Sequence, residues 1–459
     1  MDRVAREGMM FTDAHSSSSV CTPTRYGILT GRYNWRSRLK NGVLGGYSRP
    51  LIEPGRLTLP AMLKQHDYRT ACIGKWHLGM NWPLYEGGLA NDYPDGWKVD
   101  YAQAITGGPV AAGFDDFFGI SASLDMPPYV FVENERVSVA PTVEKKWIRQ
   151  GPAAAEFEAI DVLPKLANKA VEFMGQRAAD AKGGRPFFLY LALSAPHTPM
   201  VPTTEWQGKS RLSAYGDFVM ETDWAVGEVL AALDRHGLAE STLVIMTSDN
   251  GCSPAAGIPE MEAKGHHPSH IFRGHKADIF EGGHRIPFFA RWPERIKPGT
   301  TSDQLICLTD LFATCAEILD VNLPDDAAED SVSMLPALEG RTERPLREAI
   351  VHHSINGSFS IRQGSWKLVL CGDSGGWSAP RPNTKEARDL PALQLYDLAS
   401  DIGERKNVQV EHPEVVARLT ALLEKYVAEG RSTPGAPQKN AGEVIIQRRV
   451  STPETKGDR

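Results

Sequence analysis

Apolar and polar positions follow two rhythms along this chain. Phe187-Phe188-Leu189-Tyr190-Leu191-Ala192-Leu193 is an unbroken apolar run, and Leu243-Val244-Ile245-Met246-Thr247 is another of the same kind. Short continuous runs of this type predict strands covered on both faces, as in a parallel sheet. Tyr68 to Ile73 reads as a further strand, ending at Gly74. Between the runs, 160–179 and 215–236 repeat apolar residues at helical spacing, over lengths suited to crossing from one strand to the next. Strand–helix–strand repetition predicts an α/β fold with a large mixed, mostly parallel sheet flanked by helices.

The rhythm changes near residue 345. Ser358 to Leu370 and Leu393 to Leu398 show half-exposed strand patterning, and His412 to Glu429 reads as a helix. The expected organisation is a catalytic-sized domain over 1–345 and a small C-terminal α+β domain with an antiparallel sheet over 346–430. A flexible tail over 431–459 is expected from its Ser, Thr, Pro, Gly and charge content. At the other end, Asp2 to Glu7 reads as a charged amphipathic helix with Gly8 as its stop.

Composition narrows the function classes. Fifty Lys+Arg against 57 Asp+Glu leave a formal charge of −7, which excludes a nucleic-acid or anionic-membrane binder driven by bulk charge. No apolar run reaches the roughly 18–20 residues of a spanning helix, so no membrane insertion of that kind is expected. The 6 cysteines form no CxxC pair, which removes thioredoxin-like and zinc-ribbon readings.

Three stretches carry candidate chemistry. In Ser19-Val20-Cys21-Thr22-Pro23-Thr24-Arg25, continuing to Gly31, Pro23 suits the first turn of a helix. Cys21 then sits at the helix N-terminus, where free N–H groups favour an anion, and Arg25 one turn on offers a bidentate anion clamp. Gly74-Lys75-Trp76-His77 sets a cation and an imidazole just past a strand's carboxyl end, where open α/β sheets bind ligands. Ser248-Asp249-Asn250-Gly251 follows another strand; it offers either an oxygen pair for a hard cation or a plain turn. The histidines 266, 267, 270 and 275 suggest zinc, but Pro268 spoils helical presentation and no partner ligand has the right spacing, so they read as substrate-loop residues.

Together these stretches resemble the type I sulfatase (arylsulfatase) family of the alkaline phosphatase superfamily. Cys21, Pro23, Thr24, Arg25, Ile28, Leu29, Thr30 and Gly31 match its Cys-x-Pro-Ser/Thr-Arg modification motif. Tyr68-Arg69-Thr70 with Gly74-Lys75-Trp76-His77 is similar to its second motif, with Asp67 standing where the family has Gly. The resemblance implies a sulfuric ester hydrolase acting on sulfate monoesters of a carbohydrate or aryl substrate. It implies that a formylglycine-generating maturation enzyme oxidises Cys21 to an aldehyde. One hydroxyl of the hydrated aldehyde attacks sulfur, and the other expels sulfate afterwards.

By the same resemblance Lys75 contacts the sulfate and the modified side chain, and His77 helps deprotonate it. His197 donates to the sulfate or its bridging oxygen, and Lys276 stabilises charge on the leaving oxygen. Ser123 is a looser match to a sulfate-contacting serine. Asp249, Asn250 and residue 21 are implied ligands of a divalent cation, Ca²⁺ with Mg²⁺ as the alternative. Family members open with a strand ending in an Asp-Asp pair that completes the cation site. No such pair precedes Cys21, and Asp13 and Asp115-Asp116 do not substitute for it. The expectation is a preceding segment that carries it, together with a signal peptide for a periplasmic or secreted location. The alternative is a metal-poor chain that only binds sulfated glycans. A formylglycine-dependent phosphonate or phosphodiester hydrolase and a Cys–His hydrolase using an unmodified Cys21 are the other rivals. Trp82, Trp97, Tyr129 and Trp147 are candidate sugar-stacking aromatics.

Overall fold

The structure, a computed structural model, describes residues 1–92 and 95–447; residues 448–459 of the expected tail lie outside the described residues. Its largest sheet has five strands. Arg69–Lys75 lies between Asp116–Ile120 and Phe187–Ala192, parallel to both, and two short antiparallel strands, Val132–Glu133 and Arg136–Val137, extend the far side. A second, four-stranded sheet runs in the order Val244–Thr247, Phe288–Arg291, Met9–Phe11, Thr300–Ser302. Phe187–Ala192 and Val244–Thr247 therefore each end their sheet, and their outer edges pair with no strand among the described residues. The apolar runs read as fully covered strands are instead half-buried over most of their length. An end strand lacks a neighbour on one side, and its side chains lose that cover.

Helices Val162–Lys182 and Ala214–Arg235 match the predicted crossovers and pack on each other through Leu163, Ala167, Phe218 and Ala225. Phe173 of the first meets Phe187 of the sheet edge-on at 5.6 Å. The opening helix Asp2–Arg6 ends on Glu7. Gly8 has a different reason to be glycine: a Cβ there would lie 2.1 Å from the Ala290 carbonyl oxygen.

A separate antiparallel sheet joins Ile350–His353, Phe359–Gln363, Trp366–Val369 and Gln394–Asp397 in sequence order. Helix Pro413–Glu429 buries Val415, Leu419, Leu423 and Tyr426 against Ile350, Ile361 and Leu368 of this sheet. Beyond it the described chain is held in place: Arg431 donates to the Thr433, Pro434 and Ala436 carbonyls, and Ala441 N–H donates to Arg36 O.

Candidate active site

Helix Cys21–Thr30 is buried along its whole length and stops at Gly31, which takes the left-handed conformation at φ 63°. That conformation costs glycine nothing. Cys21 thus stands at the first turn with the helix's positive end beneath it. One turn on, the Arg25 guanidinium reaches Asp249 Oδ2 from Nε at 3.0 Å and from Nη2 at 2.9 Å, and Nη1 donates to Lys75 O at 2.6 Å. The anion that Arg25 clamps is therefore a carboxylate of its own chain. The expectation of a free-anion clamp gives way to one in which Arg25 joins helix, strand end and Asp249.

The strand Arg69–Lys75 delivers Lys75 and His77 to the same place. Gly74 lets it do so: its φ is 126°, and a Cβ would lie 2.0 Å from Ala192 O of the neighbouring strand. His77 follows at φ 60°. Its backbone N–H donates to Ser121 O at 2.9 Å, and Nε2–H donates to Leu44 O at 2.7 Å. That bond sets the tautomer and leaves Nδ1 bare and buried on the side that interacts with Cys21.

The charges around residue 21 favour an anion. Burial pushes the Cys21 thiol up, but Lys75, His77 and Lys276 carry it well below the ordinary thiol value. Burial lowers Lys75 from the usual amine range, opposed by Cys21 and reinforced by Arg25. Burial, Lys75 and Lys276 hold His197 well below the ordinary imidazole value. Burial alone would raise Asp249, yet Arg25, Lys75 and Lys276 keep it well below the usual carboxylate range. Lys276 is buried, and its N–H donates to Cys252 O at 2.8 Å, which ties its loop to the segment that follows Asp249 and Asn250.

Several buried polar atoms of this neighbourhood have no hydrogen-bond partner: His77 Nδ1, Ser121 Oγ, Ser123 Oγ, Ser194 Oγ, Asp125 Oδ1 and Asn250 Oδ1. Such orphans are costly and rare in folded proteins, so their clustering past the carboxyl ends of four strands marks a place that takes a polar ligand. Ser121, Ser194 and Asp125 were not singled out in the sequence. Their only advance signal is position, just past strand ends. Asp125 Oδ1 lies 3.8 Å from His197 Nδ1, which also contacts Thr198 O at 2.9 Å.

A hard divalent cation fits part of this arrangement. Asn250 Oδ1 is buried and unpartnered, and Arg25 occupies only Oδ2 of Asp249. Oxygen donors suit Ca²⁺ or Mg²⁺, but Ca²⁺ takes 6–8 of them, and two side chains and residue 21 fall short of that number.

The histidines 266, 267 and 270 form no metal-ligating group; His267 instead faces Glu262 at 3.7 Å. The one group of three found among the described residues is His15, His284 and His352. Its geometry argues against an ion: the His284 and His352 rings stack at 3.6 Å and 12°, so their in-plane lone pairs run parallel and do not converge. Lys367 Nζ also stands 3.0 Å from His284 Nε2. This cluster is a buried polar contact between strand Ile350–His353 of the antiparallel sheet and the segments that carry His15 and His284.

These features define an α/β protein with a buried, cation-ringed polar site at the carboxyl ends of its strands. Residues 1–321 match the sulfatase family model. An N-acetylgalactosamine-6-O-sulfatase of Bacteroides thetaiotaomicron is 34% identical over 471 residues, covering 92% of this chain and 87% of that protein. Mouse steryl-sulfatase is 31% identical, covering 95% of this chain and 78% of that protein. A solved structure concerned with metabolism of multiple glycosaminoglycans by Bacteroides thetaiotaomicron is 33% identical, with a TM-score of 0.80 and 92% of each chain covered. The chain belongs to the sulfatase family and is a sulfuric ester hydrolase. The family's chemistry brings a divalent cation and a formylglycine.

Proposed function

We propose that this protein hydrolyses a sulfate monoester on a carbohydrate, with residue 21, as formylglycine, at the reacting centre and Ca²⁺ as the cation. The observation that carries the reading is the buried Cys21 at a helix N-terminus, ringed by Lys75, His77 and Lys276. The name of the N-acetylgalactosamine-6-O-sulfatase relative supports a sulfated sugar as substrate. Once installed by a maturation enzyme, the hydrated aldehyde supplies a hydroxyl nucleophile and a second hydroxyl that releases the sulfate.

The chain's own residues do the rest. Lys75 and Lys276 neutralise the sulfate oxygens, and their near-complete burial strengthens that attraction over its value in water. His77 Nδ1, with its other nitrogen fixed on Leu44 O, accepts a proton from the residue-21 side chain. The negative charge of a bound sulfate ester would favour protonation of His197, whose Nδ1–H is already taken by Thr198 O, so that Nε2–H donates toward the bridging oxygen, and Ser123 Oγ turns to a sulfate oxygen. Asp249 and Asn250 would hold the cation, and Arg25 fixes Asp249 in place.

The test is production of the chain with a formylglycine-generating enzyme, followed by peptide mass mapping across residue 21 and assay of sulfate release from sulfated hexosamines. A loss of about 18 Da at position 21, with turnover abolished in Cys21→Ala, is expected. Full turnover by protein with an intact thiol would overturn the formylglycine step. Phosphonate esters turned over faster than sulfate esters would overturn the substrate class.

A further inference from the structure

Asp278 is a fully buried carboxylate with no Lys or Arg partner among the described residues. Backbone amides satisfy it instead, with His275 Nδ1 standing 3.3 Å from Oδ2. Oδ1 accepts from Trp377 N–H at 2.7 Å and Ser378 N–H at 3.0 Å, and Oδ2 accepts from His275 N–H at 2.9 Å. The same short segment holds Lys276, whose N–H donates to Cys252 O, and Ala277, whose N–H donates to Ser19 O at 2.9 Å. One carboxylate therefore connects the loop that follows the last antiparallel sheet's Trp366–Val369 strand to the segments that carry Lys276 and Cys21.

The approach is tight. A Cβ on Gly376 would lie 2.4 Å from Ala277 O and 2.5 Å from Asp278 Oδ1, so glycine is required. The loop is also braced internally: Ser374 N–H donates to Pro380 O at 2.9 Å, Ser374 Oγ to Ser378 O at 2.8 Å, and Arg381 Nε to Trp377 O at 2.7 Å. On this fixed loop Trp377 is 38% exposed, has no ring partner, and its indole N–H donates to nothing among the described residues.

The aromatics suggested by sequence do not compete well for this role. Trp82 and Tyr129 are core residues, Trp147 packs edge-on against Tyr129 at 4.7 Å, and the exposed Trp97 directs its indole N–H to Glu144 Oε1 at 3.5 Å. A rigid loop that spends its backbone donors on a buried acid beside Lys276, and leaves an unpartnered indole in solvent, is built for contact with a ligand. We propose that Trp377 is a specificity residue: a stacking platform for the sugar ring that carries the sulfate, set at the edge of the site by Asp278. A hexose presents a face of C–H groups to such a ring while its sulfate reaches the buried lysines. This proposal rests on the sulfated-carbohydrate reading above.

The test separates binding from turnover. In the Cys21→Ala background, affinity for a panel of hexose and N-acetylhexosamine sulfates is measured by calorimetry, with inorganic sulfate as the ring-free probe. Trp377→Ala is expected to weaken the tightest sugar sulfate about tenfold, with Trp377→Phe recovering most of the loss and inorganic sulfate changing less than twofold. Equal affinity in Trp377→Ala, or no binding of any sugar sulfate by the parent, overturns the platform. Sulfate release by the formylglycine form, measured separately, decides the enzymatic reading whichever way the platform falls.

Discussion

Arg25 and Asp249, 224 positions apart in the chain, meet through two guanidinium nitrogens on one carboxylate oxygen. The pair joins the modification-motif helix to the end of strand Val244–Thr247. Both groups are largely removed from water, so each depends on the other. Arg25→Ala leaves a buried carboxylate without its main partner and is expected to cost about 3–5 kcal/mol in urea unfolding. Adding Asp249→Asn should restore part of that loss, and strict additivity of the two changes would count against the pairing.

Cys21 in the unmodified chain should be an unusual thiol. Burial pushes Cys307 up to about 11 and Cys315 and Cys371 up to about 12, whereas the cations bring Cys21 down. Iodoacetamide is expected to label Cys21 first, at a rate that falls off only at lower pH than for the other cysteines, because a lowered thiol stays ionised where an ordinary one is protonated. Quantitative peptide mass spectrometry checks it. A rate that falls in step with the other cysteines would mark an ordinary thiol.

Gly74 is held by geometry rather than by chemistry. Gly74→Ala introduces a Cβ into Ala192 O at a positive φ, with an expected loss of at least about 1–3 kcal/mol. Because Lys75 and His77 follow directly, sulfate release should fall more than stability does. Unfolding curves and turnover on the same preparation separate the two effects.

Glu404 links pH to stability. Burial pushes its carboxyl up to about 7, helped by neighbouring Glu281 and opposed by Lys367. The unfolded chain releases this proton near 4.5 and the folded protein keeps it to about 7, so this group lowers stability as pH rises between those values. Glu404→Gln is expected to flatten that part of the thermal-stability profile between pH 5 and 7. An unchanged slope would show that Glu404 ionises normally.

The 459-residue chain should bind Ca²⁺ weakly, since Asp249 and Asn250 are flanked by Arg25, Lys75 and Lys276. A dissociation constant no tighter than about 10⁻⁴ M is expected by calorimetry, and Asn250→Ala should weaken it further. Submicromolar binding would mean further ligands beyond these two side chains.

How much of this was readable in the chain differs by kind of feature. The helix at Cys21, its stop at Gly31, the strand before Lys75 and the two crossover helices all follow from local rules, namely glycine's conformational freedom, proline's place in a first turn and the period of apolar residues. Motif spacing likewise singled out Cys21, Lys75, His77, Asp249 and Asn250, and the family resemblance pointed to His197 and Lys276. Partnership was not readable. That Arg25 spends itself on Asp249, that Asp125 stands beside His197, and that Asp278 binds a loop 99 positions away at Trp377 are contacts between segments distant in sequence. Nor could an apolar run disclose that its strand ends a sheet, because period and composition describe a residue's own preference and not its neighbour. The sequence by itself determined which chemical groups stand at which strand and helix ends; the tertiary structure alone decided which of those groups face one another, because burial and electrostatic pairing arise only when distant segments close on the same volume.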